Sequence, residues 1–183
     1  MYIILACQQI FCSVSQVLKC PDFNSEFVQL MLSLDDLALK PPNESLEILK
    51  NISLKTSGIP KFVCIHKILP SVSRALQIAK NDFSIRDSRE SCRQIIQVSL
   101  SLLSKLADNN KLDEASFGSK CLTVTIELWS MSDRSIRTAL LQSCKNLVPF
   151  IPKEIVNKSI FDPMLAGFAD SNAKYVFLPL LFC

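Results

Sequence analysis

Apolar residues recur three and four places apart in one segment after another of this chain, and proline, asparagine or glycine separates the segments. That period puts the apolar residues on one face of an α-helix. Glycine sharpens the constraint, with only three in 183 residues. Tight hairpin turns and phosphate-cradling loops both lean on glycine for backbone at positive φ. A chain so poor in it is steered away from both and towards an all-α fold.

From a cap at Asn24 or Ser25, Phe27, Leu30, Met31, Leu34 and Leu37 share a stripe, and Lys40-Pro41-Pro42 stops that helix. Asn43 caps a second, with Leu46, Ile48, Leu49 and Ile52, ending at Gly58 in the usual C-terminal glycine position. Pro60 suits the first turn of a third, which Pro70 kinks or divides in two. A long helix carries Ile95, Val98, Leu102 and Leu106 and closes at Asp108-Asn109-Asn110. The stretch 112–129 opens another, weakened at its start by Gly118. Its β-branched part, "CLTVTIELW", is the best strand candidate, but length and flanks favour helix. Ser132 or Asp133 then caps a helix bearing Ile136, Leu140, Leu141, Cys144 and Val148. A short helix and another around Pro163 follow. The expectation is seven to nine helices with short connections.

With 49% apolar and 20% charged residues the sequence is globular. The 20 basic and 17 acidic residues are spread along it, which argues against a nucleic-acid partner, since that needs a clustered basic face. The eight cysteines contain no C-x-x-C pair, so neither a zinc site nor a disulfide framework is indicated. They read as small core hydrophobes in a reducing compartment. The opening "MYIILACQQIFCSVSQVLKC" lacks a basic leader and is interrupted by Gln8-Gln9, and no segment reaches the ~18 uninterrupted apolar residues of a membrane span. A cytoplasmic protein is expected.

The one histidine, His66, lies two residues after Cys64, a spacing that puts the two on different faces of a helix. Asp35-Asp36 and Asp113-Glu114 read as helix-end caps or dipole partners, and Trp129 as core. No nucleophile elbow, zinc-protease, Walker or kinase motif is present. No catalytic, cofactor-binding or metal-binding residue is expected, and the protein reads as a non-enzyme.

What does recur is a word. Asp133-Arg-Ser-Ile-Arg137 is echoed 37 residues later by Asp170-Ser-Asn-Ala-Lys174, with Pro163 seven residues before the second copy. "KILPSVSRAL" around Pro70 has the character of the same first-helix word. Helix-pair solenoids of the HEAT kind repeat at about 40–47 residues, just above this spacing. In such a unit a proline bends the first helix, an aspartate caps the second, and an arginine forks to that aspartate or to its neighbour along the stack. Pro70, Asp133, Arg137, Pro163 and Asp170 are the candidate repeat signature. A plain helical bundle is the alternative.

The same segments carry a resemblance. "GIPKFVCIHKILPSVSRAL", through Phe62, Cys64, His66, Lys67, Leu69 and Pro70, resembles a stretch of the Scy-like pseudokinases, the N-terminal kinase-like protein family. Asp133, Arg134, Arg137, Leu140, Leu141 and Gln142 match a second block of that family. Val156, Asn157, Ile160, Phe161, Gly167, Phe168, Asp170 and Asn172 match a third, and "EFVQLMLSLDDLALKPPNES" is similar to its entry into the helical region. Members join a kinase-like domain, generally inactive or weak, to HEAT repeats and a variable tail. The resemblance implies a HEAT/ARM-type α-solenoid of antiparallel helix pairs and a non-catalytic scaffold. It implies protein partners in Golgi–endoplasmic reticulum vesicle traffic, the COPI coat or small-GTPase machinery, and hence a Golgi association. Some members act in tRNA export, and an unrelated helical adaptor is a further alternative. The implied organisation is a divergent helical segment 1–22, a HEAT-type region 23–172 and a divergent apolar tail 173–183. After Asn172 the family continues with an arginine-bearing helix, where this sequence has "AKYVFLPLLFC". It therefore reads as a fragment whose kinase-like lobe lies elsewhere, and its apolar end is expected to promote self-association.

Overall fold

The computed structural model describes residues 25–165, all of whose regular structure is helical. Helix α1 is Glu26–Ser33, capped by the Ser25 hydroxyl, which accepts the Val28 amide at 3.4 Å. Helix α2 is Pro42–Lys55. Helix α3 runs over 61–82 as a turn Lys61–Val63, a π turn Cys64–Ile68 and Leu69–Asp82. Helix α4 is Arg89–Asp108, α5 is Glu114–Lys120, α6 is Leu122–Trp129 and α7 is Arg134–Leu147. Helix α8 runs over 153–165, again as a turn Lys153–Ile155, a π turn Val156–Ile160 and Phe161–Leu165. The strand candidate is helical, in α6.

Four local expectations change, the first being that the single helix expected over 112–129 is two, α5 and α6, meeting at Cys121. Helix α1 stops at Ser33, well before the prolines, and Leu34 and Leu37 are buried in the turns beyond it. The prolines open α2 instead: Pro42 is its first residue and Asn43 lies inside it. A first-turn N–H has no intrahelical partner, so proline loses nothing there. Gly58 closes a 3-10 turn without positive φ. The left-handed C-terminal position falls to Asn110, at φ 54°, after α4. There Lys111 N–H donates to the Leu106 carbonyl at 2.8 Å and Asn110 N–H to Ala107 at 3.0 Å, satisfying carbonyls the helix end leaves open.

Helices α2, α4 and α7 form one row, and α3, α5–α6 and α8 a second. Within a row neighbours run parallel. The end of α4 meets the end of α2, where Lys105 Nζ donates to the Ser53 carbonyl at 3.2 Å and Asn109 to the Thr56 hydroxyl at 3.3 Å. In the second row Lys80, near the end of α3, pairs with Glu127, near the end of α6. Between rows α3 packs on α4 and α6 on α7, pairs joined by short connections and so antiparallel. The arrangement is all-α and solenoid-like.

The buried residues reveal its period. Cys92, Ile96, Ser99, Leu100 and Leu103 of α4 are each matched 44 residues on by Ile136, Leu140, Ser143, Cys144 and Leu147 of α7. Ser45, Leu49, Ile52, Ser53 and Thr56 precede the same α4 positions by 47 residues. Both intervals lie in the range of helix-pair repeats, about 40–47 residues.

The two π turns, Cys64–Ile68 and Val156–Ile160, are 92 residues apart, about twice that period. Each follows the same word, Ile59-Pro60-Lys61 and Ile151-Pro152-Lys153, and each precedes a proline, Pro70 and Pro163. Proline has no N–H to return to the preceding turn. The carbonyl five residues before Pro70 is that of Ile65. Lys120 Nζ reaches it from the neighbouring unit at 2.8 Å, while the Ser73 hydroxyl donates back to the Lys120 carbonyl. A freed carbonyl is thus used as a joint between units, and the helix stays continuous through Pro70.

Candidate functional site

The helix starts of α4 and α7 are locked by one carboxylate. Asp133 caps α7, accepting the Ile136 amide at 3.0 Å, because its extended backbone turns the carboxylate onto the open N–H groups. The same carboxylate takes the fork of Arg93 from α4, at 2.9 Å from Nη2 and 3.3 Å from Nε. Glu90 holds the other side of that guanidinium. Burial pushes the Asp133 carboxyl up, but the Arg93 hydrogen bonds, the Ile136 amide and the Arg93 charge outweigh it and hold the group below its ordinary value. The hydrogen bond that Arg93 donates to Asp133 raises the arginine in turn.

At the far ends of the two helices Asn146 Nδ2 donates to the Ser104 hydroxyl at 2.7 Å and to Asp108 Oδ2 at 2.8 Å. Between these two clamps lies an open groove of about 490 Å³. Gln97, Ser101 and Ser104 line it from α4, and Ser135, Thr138 and Gln142 from α7.

Of the repeat signature, Asp133 is at the α4–α7 seam and Pro70 follows the first π turn. Arg137 sits one turn into α7 with its Nε buried and bonded to nothing among the described residues. It is 44 residues after Arg93 and so in the same register. Pro163 lies in α8, and Asp170 lies outside the described residues. The stack partner that Asp133 takes is Arg93. Sequence reasoning missed Arg93, whose signal was its place one residue after the apolar Cys92, as Arg137 follows Ile136.

Residues of chemical interest are scattered. His66 is exposed and stacks on the exposed Phe62, ring centroids 4.3 Å apart, while Cys64 is buried. Asp35 pairs with Lys67 of α3, and Asp113 caps α5 at 2.8 Å from the Ser116 amide. Trp129 is core. Burial pushes the Cys121 thiol up to about 12 and Cys144 to about 11, which keeps both protonated and unreactive. Among the described residues no group of three or more His, Cys, Asp or Glu is placed to hold a metal, and no helix is long and apolar enough to cross a membrane.

No family model matches this protein, and no solved structure matches it. Among curated proteins it is 23% identical over 154 residues to a protein of Dictyostelium discoideum named "Probable inactive serine/threonine-protein kinase scy1". The similarity is to a Scy1 pseudokinase. It takes in 84% of this chain and only 17% of the Dictyostelium Scy1 protein, so the chain spans a small part of that relative's length. The relationship is distant, and it points to the family whose words surround Pro70 and Asp133.

Proposed function

We propose that this protein is the HEAT-type region of a Scy-like pseudokinase and acts as a non-catalytic scaffold for protein partners in COPI-type vesicle traffic between Golgi and endoplasmic reticulum. The observation that carries this is the similarity to Scy1 along 84% of the sequence, on two rows of parallel helices. The setting is the cytoplasmic side of the Golgi. In this reading Pro70, Asp133 and Pro163 are marks of a HEAT-type stack, and the Arg93–Asp133 fork joins two of its units. The small share of Scy1 covered favours a companion reading, in which a kinase-like lobe belongs to the same full protein.

The test is binding of the purified protein to purified coat complex on a biosensor surface. Saturable binding is expected, together with ATP hydrolysis no faster than buffer. Absence of binding would remove the coat assignment, and sustained ATP turnover would remove the non-catalytic one.

A further inference from the structure

The groove between α4 and α7 is lined mainly by neutral polar side chains. Gln97, Ser101 and Ser104 face Ser135, Thr138 and Gln142 across it, and Ala139 is its only apolar side chain. No carboxylate lines it. Its one charged residue, Lys105, is turned to α2, where it donates to the Ser53 hydroxyl at 2.9 Å and to the carbonyl. Gln97 and Gln142 hydrogen-bond nothing among the described residues.

Such a surface offers no apolar anchor and no charge to read. It offers paired donors and acceptors. A carboxamide carries an N–H₂ and a C=O side by side, so it bonds a backbone C=O and N–H together, as another peptide group would. Hydroxyls both donate and accept. We infer that this groove seats an extended, uncharged segment of a protein partner, held through its backbone by Gln97 on one wall and Gln142 on the other. The inference rests on the scaffold reading and specifies what the scaffold grips. Gln97 to Ser104 spans about 10 Å along α4 at about 1.5 Å per residue, room for roughly three residues of extended peptide at about 3.3 Å each. The two clamps, Arg93–Asp133 and Asn146–Asp108, keep the walls parallel and spaced without help from the ligand.

The test uses the full-length protein against a phage-displayed library of random dodecapeptides, with enriched peptides remade and measured by fluorescence polarisation. Enriched sequences are expected to be poor in charge. They should lose at least tenfold in affinity for Q97L/Q142L, and as much when two consecutive peptide nitrogens are methylated. Unchanged circular dichroism and melting temperature of Q97L/Q142L would show that the loss is not unfolding. Peptides that bind the variant as well as the parent would overturn the groove while leaving the scaffold reading standing. Failure to enrich any peptide would overturn it too, and the coat-binding measurement judges the scaffold reading separately.

Discussion

Arg93 and Arg137 occupy the same register of successive helices in one row and meet different fates. Arg93 is half-buried and fully used, forked onto the cap of the next helix and braced by Glu90. Arg137 buries its Nε with no partner among the described residues. A buried donor left unpaired is costly, whereas the same donor paired with an ion is favourable. The difference is not in either arginine or its helix. It lies in what stands beside each one among the described residues. Beside α4 stands α7, whose cap is an aspartate. In the row of α4 and α7, one unit leaves a polar group that the next one satisfies. Lys120 on the Ile65 carbonyl is the same device in the other row.

The most damaging way to break the comparison is Asp133→Ala. It removes the α7 cap and strands Arg93 at once, and it should lower unfolding free energy by about 2–3 kcal/mol in a urea titration. A cost under about 0.5 kcal/mol would show the seam to be incidental.

Next come Arg93→Leu and Arg137→Leu side by side. Arg93→Leu is expected to cost about 1–2 kcal/mol. Arg137→Leu, which removes a buried donor that has no partner among the described residues, is expected to be neutral or stabilising. A cost like that of Arg93→Leu would show the two arginines to be equivalent and would break the comparison.

The smallest effect is in pH. The Asp133 carboxyl is lowered from 3.8 in the folded protein. Its contribution is therefore present above that ordinary value and is lost as pH falls through the lowered one. Urea midpoints measured from neutral pH down into that acid range should fall less steeply for Asp133→Asn than for the parent. Parallel curves would assign the acid sensitivity elsewhere.

Much of the fold was legible in the residues alone. Helical spacing placed α4 and α7 closely, and the Asp133 cap followed from an acidic residue directly before an apolar period. Terminations were less legible. Pro41-Pro42 reads equally as a stop or a start, and the choice depends on where Leu34 and Leu37 find cover. The 37-residue echo pointed to repetition. The period among the described residues, 44 and 47 residues, shows only once burial says which apolar positions correspond. The paired "IPK" words were visible but carry no meaning until both are seen to precede a π turn. The groove could not be read at all, because Gln97 and Gln142 look like ordinary solvent-facing residues of two separate helices.

By itself, then, the sequence determined that this protein is a succession of amphipathic helices, where most of them begin, and which family's words it carries. Those are matters of local period and capping, set within a few helical turns. Only the tertiary structure decided which arginine meets which aspartate, which lysine covers the carbonyl before Pro70, and which neutral side chains face one another across α4 and α7. Those partners lie 40 to 55 residues apart in sequence, and their pairing is set by the register in which apolar faces stack, to which the polar residues themselves contribute little.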